Sequence, residues 1–198
     1  MVARKRAPGG ADVEEPRKVR KVSRVIYTVG HSTVPVEEFV ESLTANAVAT
    51  VVDIRSYPSS RKHPQFGQEA LANTLEAHGI AYEWLKGLGG RRKLPPEAER
   101  HSDTEGWTHP AFRGYAEYMR TDAFADALTR LEAIAESGRT AIMCAEACWW
   151  RCHRRMVSDA LLNAGWDVEH IMARGRTKQH VLTPFAQTTN GIVTYPPS

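Results

Sequence analysis

Apolar positions along this chain fall into short β-branched runs, separated by stretches in which they recur every three or four residues. Residues 25–29 predict a buried strand ending in Gly30-His31-Ser32, and residues 36–47 follow with Phe39, Val40 and Leu43 at helical spacing. Residues 49–54 are a second β-branched run, closing on Asp53 and Arg55 before a Pro-Ser-Ser break. A helix is predicted over 68–78, stopped by Gly79, and a third strand over 80–85.

The second half repeats the alternation after a long interruption. Residues 86–110 lack periodicity and carry Gly87, Gly89, Gly90, three prolines and Trp107, a length at which loops are usually functional or disordered. Helical periodicity returns over 112–119 and 123–137, then a strand over 139–144, a helix over 152–164 and a strand over 168–172. Strands alternating with helices predict an α/β fold: a single three-layer domain whose mostly parallel central sheet has about five strands flanked by helices. The expected division is a basic disordered tail over 1–24, the α/β domain over 25–185 and a loose C-terminal tail over 186–198.

Composition narrows the class without naming a reaction. With 198 residues, 42% of them hydrophobic, the chain can bury a core without disulfide staples. No apolar run approaches the roughly 20 residues of a membrane span and the start lacks a signal-peptide core, so a cytoplasmic protein without a membrane partner is expected. The formal charge of +3 is unevenly placed. Residues 1–24 hold eight basic and three acidic groups, a net of +5, which leaves the remainder at −2. Any attraction to polyanions from net charge therefore belongs to the tail, which is as readily a solubilising extension.

In a parallel sheet, ligands bind beyond the carboxyl ends of the strands. Three such ends carry polar chemistry here: Gly30-His31-Ser32, Asp53-Ile54-Arg55 and Cys144-Ala145-Glu146. Their convergence is the main reason to expect a site.

The segments YTVGHS, VVDIRSYPSSRKHPQF, LGGRR, FRGYAEYM and MCAEACWWRCHRRMVSDAL resemble the bacterial and archaeal domain of unknown function 488 family. The likeness runs in order from Tyr27 to Ile171. It implies a compact α/β domain with a recurrent Cys-x-Glu and Cys-His-Arg signature, and no settled activity. The positions it picks out are Gly30, His31, Ser32, Asp53, Arg55, Arg61, Pro64, Phe66, Gly89, Gly90, Cys144, Glu146, Cys152, His153 and Arg154; Cys148 stands outside the signature.

Several chemistries fit these residues. Cys144 or Glu146 would be the reactive group, with His153 or His31 as acid or base, since His31 at a strand-to-helix turn can titrate near neutrality. Gly30, Ser32, Asp53, Arg55, Arg61, Phe66, Gly89, Gly90, Arg91, Cys152 and Arg154 would line or hold a ligand, the arginines gripping phosphate and Phe66 stacking on a base. That points to an enzyme acting on a nucleotide, another phosphate-bearing molecule or nucleic acid. A nucleic-acid-binding module without turnover and a redox-sensing cysteine trio are the alternatives. No cofactor is expected in the main reading; the alternative is zinc on Cys144, Cys148, Cys152 and His153, in an unusual C-x₃-C-x₃-C-H spacing. Cys148 to Arg154 also fits the C-x₅-R phosphate loop formally, but two tryptophans would obstruct a backbone wrap.

Overall fold

The computed structural model describes residues 24–59, 61–189 and 191–197. The predicted alternation is present as β1 (Val25–Gly30), α1 (Val36–Ala45), β2 (Thr50–Asp53), α2 (Gln68–Ala77) and β3 (Ala81–Trp84). It continues through α3 (Pro110–Tyr118), α4 (Asp122–Ser137), β4 (Thr140–Cys144), α5 (Arg154–Asn163) and β5 (Asp167–Ile171). A sixth strand, β6 (Thr177–Gln179), adds antiparallel to β5, so the sheet has the order β3-β2-β4-β1-β5-β6. The pairings from β3 to β5 are parallel. The basic segment 1–23 lies outside the described residues.

The side-chain alternation of the strands builds two cores. Val29, Val51, Ala141, Met143 and Ile171 face one side and pack on Phe39, Val40 and Leu43 of α1 and on Leu71 and Leu75 of α2. Ile26, Val52, Ile142 and Val168 face the other, against residues of α3, α4 and α5 such as Tyr115, Leu131 and Leu161. The middle strand β4 is buried along its whole length, as a strand covered on both faces must be. Among the described residues, no helix is long and apolar enough to cross a membrane.

Two stretches depart from the sequence reading. Residues 86–110 form a fixed strap of short 3₁₀ turns: the Glu117 carboxylate accepts hydrogen bonds from the His101 amide, the His101 ring and the Thr104 hydroxyl, while Leu88 and Trp107 are buried. The segment expected as a loose C-terminal tail contains an antiparallel pair, β7 (Gln187–Thr189) and β8 (Ile192–Thr194), and buries Val193 and Tyr195. Tyr195 exchanges backbone hydrogen bonds with Asp103 and Gly106, which ties the chain end to the strap. Three-residue strands give too short a period to be seen in sequence.

The topology creates a crevice. From β1 the chain moves outward through β2 to β3, then returns to insert β4 between β2 and β1 before leaving for β5 on the far side. The connections leaving β1 and β4 diverge to opposite faces, the switch point at which such sheets open a binding site.

Candidate functional site

The ends of β1, β2 and β4 lie side by side. Gly30 is in register with Cys144 and Asp53 with Met143, and beyond the strands the His31 and Ser32 amides still donate to the Cys144 and Ala145 carbonyls. Above these ends is a cleft of about 750 Å³ lined by His31, Ser32, Arg55, Gly90, Arg91, Cys144, Glu146, Cys152 and His153, all named from the sequence. Tyr57, His63, His109, Phe112, Tyr115 and Arg151 also line it. His63 belongs to the basic loop that the sequence places beside the strand ends; sequence reasoning missed the others, although Arg151, inside the Cys-rich motif, carried a readable signal.

Other expected ligand-holding residues stand behind the wall. Asp53 is fully buried, and its carboxylate accepts from the Arg55 guanidinium at 2.5 to 3.0 Å and from the Tyr82 hydroxyl at 2.7 Å. Arg55 also donates to the Phe66 carbonyl at 2.8 Å, so this ion pair braces the second strand end instead of awaiting a ligand. Phe66 stacks on the His31 ring at 4.1 Å and is itself buried, which removes it as a platform for a base. Gly89 packs against Ser56, and Arg61 is exposed and away from the lining.

Arg154 is the largest revision. The residue is 1% exposed, and its guanidinium donates to the carbonyls of Glu146 and Ala147 and to the Thr28 hydroxyl. A phosphate loop turns amides inward on an anion; here carbonyls converge on a cation, so the C-x₅-R reading fails on polarity as well as bulk. Gly30 makes this possible, because a Cβ there would collide with the Glu146 carbonyl and the Arg154 guanidinium. Gly90 plays a related part, since any side chain at that position would enter the space of the His153 ring.

The two histidines differ from the simple expectation. The His31 Nδ1–H donates to the Ser32 carbonyl at 3.0 Å, leaving Nε2 as acceptor for the Arg55 guanidinium at 3.3 Å. Burial, with Arg55 beside it, pushes its pKa down from 6.5 to about 4, so it is neutral near pH 7 with both nitrogens engaged. His153 is likewise held below its ordinary value by burial; its Nε2–H donates to the Ile54 carbonyl at 3.0 Å, and Nδ1 faces the Cys152 sulfur at 3.4 Å.

At the floor, the Cys144 and Cys152 sulfurs are 2.9 Å apart. Burial drives the Cys144 thiol well above 9.0. Burial also opposes ionisation of Cys152, but the hydrogen bond from Cys144 and the Arg154 guanidinium outweigh it and bring that thiol down to about 7. Cys152, and not Cys144, is therefore the more acidic of the pair. Glu146 is exposed at the rim, with one carboxylate oxygen accepting from the Cys148 amide at 3.3 Å. Among the described residues, the group of side chains able to hold a metal is Cys144, Cys152 and His153; Cys148 does not join them.

The structure also contains a buried polar network that the sequence did not reveal, in which Thr28, His170, His180, Asp159, Thr183 and Tyr195 are linked behind Arg154.

A family model described as "Domain of unknown function DUF488" matches residues 35–161. No curated protein and no solved structure matches the chain.

Proposed function

Since the chain belongs to the DUF488 family, a domain of unknown function, we propose its role from the cleft itself: an enzyme acting on a small phosphate-bearing ligand of the nucleotide class. The observation that carries this reading is the charge of the lining. Arg55, Arg91 and Arg151 stand around a single carboxylate, Glu146, with His63 and His109 beside them. Arg55 is neutralised by Asp53, whereas Arg91 and Arg151 are exposed and in no salt bridge among the described residues. Two such guanidiniums can fork onto phosphate oxygens.

The volume suits a molecule of nucleotide size. Tyr57 and Phe112 offer aromatic surface on the same cleft, and Arg91 already lies over the Tyr57 ring. A base would stack there while the phosphate reaches towards Arg151. Glu146 is the acid–base group of this reading, because it is the one carboxylate on the lining and its second oxygen has no protein donor among the described residues.

The test is calorimetric titration of the purified chain with nucleoside mono-, di- and triphosphates and with sugar phosphates, followed by chromatography of the incubated mixtures. Arg91→Ala and Arg151→Ala should each weaken binding about tenfold, the loss of one charge-assisted contact. Glu146→Gln should keep binding and stop turnover. The reading is overturned if no phosphate ester binds, or if binding ignores both arginines. Tight binding of single-stranded nucleic acid with no chemistry in the wild-type chain would replace the enzyme by a binding module.

A further inference from the structure

We propose that Cys144, Cys152 and His153 form a metal site for one divalent ion of the zinc class, held by two thiolates and an imidazole with a fourth position facing the cleft. Cys144 Sγ, Cys152 Sγ and His153 Nδ1 all lie within 4.8 Å of one another. Around a tetrahedral zinc, with Zn–S about 2.3 Å and Zn–N about 2.0 Å, such donors stand roughly 3.3 to 3.8 Å apart. The Cys152–His153 separation of 3.4 Å already satisfies this. The sulfurs, at 2.9 Å, need to part by roughly 0.9 Å, a small rotation of one cysteine side chain.

The surroundings prepare the donors. Because the His153 Nε2–H is fixed on the Ile54 carbonyl, the lone pair is on Nδ1, the nitrogen that faces the sulfurs. Metal-bound histidines are held in this way, with the second nitrogen on a carbonyl or carboxylate that sets the tautomer. Each sulfur accepts a backbone amide, Cys144 from Glu146 at 3.3 Å and Cys152 from Arg154 at 3.4 Å, and hydrogen bonds to the charged form favour it. Two thiolates and one imidazole are a soft donor set that selects zinc over magnesium or calcium. All three residues line the cleft, so the open side of the ion is the side from which a ligand arrives.

This assignment corrects the four-ligand arrangement drawn from spacing alone, since Cys148 is outside the cluster. The ion's presence does not depend on which ligand occupies the cleft; any part it takes in chemistry there rests on the nucleotide reading.

The experiment uses the full chain purified under reducing conditions, stripped with a chelator and reloaded with zinc or cobalt(II). One ion per chain should survive dialysis, and the cobalt form should show the thiolate charge-transfer and intense d–d absorption of a tetrahedral sulfur–nitrogen site. Cys144→Ser and Cys152→Ser should abolish retention, while Cys148→Ser keeps it. Circular dichroism checks the folding of each variant; should a serine variant unfold, the wild-type cobalt spectrum decides. The proposal is overturned if stripped protein gives no tetrahedral cobalt spectrum, if Cys148→Ser loses the ion as completely as Cys152→Ser, or if the reduced preparation carries a Cys144–Cys152 disulfide. Arginine-dependent nucleotide binding by zinc-free protein would leave the cleft reading standing without the metal, and zinc retention without nucleotide binding would do the reverse.

Discussion

Arg154 and Asp159 lie five positions apart on α5, yet they are joined by a line of hydrogen bonds that leaves the helix and returns to it through the sheet. Arg154 donates to the Thr28 hydroxyl at 3.4 Å, Thr28 to His170 Nδ1 at 2.7 Å, His170 Nε2–H to His180 Nδ1 at 3.0 Å, and His180 Nε2–H to Asp159 at 2.9 Å. In this arrangement of ring protons, every proton in the line points from the guanidinium towards the carboxylate. The buried positive charge under the thiol floor is thus connected to the buried negative charge near Tyr195.

Removing the carboxylate charge should therefore be felt well beyond its own contacts. Asp159 also accepts from the Thr183 amide and hydroxyl and from the Tyr195 hydroxyl. Asp159→Asn replaces an acceptor by a group that must turn an N–H towards one of these donors, and breaking a buried charged network costs about 3 to 5 kcal/mol. Urea unfolding should show a loss of that order. The Asp159→Asn and His180→Gln losses should be strongly non-additive in a double-mutant cycle, since both break the same line. Additive losses would mean that the residues act separately.

The same line dictates a pH dependence. Burial, then the adjacent His180, holds the His170 pKa down to about 3 from 6.5. Between those values the unfolded chain binds more protons than the folded one, so this contribution is complete above about 6.5 and is lost as pH falls towards 3. The slope for one such group is at most about 1.4 kcal/mol per pH unit. Glu117, whose carboxylate is held below 4.5 by the hydrogen bonds from His101 and Thr104 in spite of burial, adds to the loss at the acid end. Thermal melts should show a plateau near neutrality and a decline from about pH 6 to pH 4. A midpoint unchanged down to pH 4 would rule out a neutral buried His170.

Much of this arrangement was legible beforehand, and the boundary of what was legible has a physical cause. The strands show because β-branched runs such as Ala49 to Ile54 have a local period, and the meeting of Gly30, Asp53 and Cys144 follows from a parallel sheet placing its carboxyl ends together. Which polar residue faces the ligand and which faces the core is set by contacts distant in sequence. Arg154 and Glu146 are both charged and eight apart, yet one is buried and the other at the rim. The His170–His180–Asp159 line joins three elements without a shared motif. Its only sequence trace is a histidine two positions after Val168, on the inward face of a strand whose other face carries Asp167 and Glu169.

The chain end gives another expected outcome. Tyr195→Phe removes one donor to Asp159 from a 1% exposed position and should cost about 1 to 2 kcal/mol, measured by denaturant unfolding. Deleting residues 186–198 removes Val193 and Tyr195 from the core and the strap's backbone partner at once, and should lower the melting midpoint far more than the point variant. A truncated chain as stable as the full one would show that the β7–β8 pair is an accessory.

The closest approach of backbone and guanidinium offers the sharpest separation of fold from site. A methyl at Gly30 would have to displace the Glu146 carbonyl, which is backbone, and the end of Arg154, which has nowhere else to go in a packed core. Overpacking of this kind costs typically about 1 to 3 kcal/mol. The nearest atoms a methyl at Gly90 would meet are those of the His153 ring, which lines the cleft and can move into it at the cost of its hydrogen bond to the Ile54 carbonyl. Gly30→Ala should therefore lower stability and disturb the cleft together, whereas Gly90→Ala should lower the melting midpoint less while turning His153 away from Cys152. Metal retention and nucleotide titration on the two variants, set beside their unfolding curves, measure the difference. Equal destabilisation by both would mean that His153 is locked into the core and is not an adjustable part of the floor.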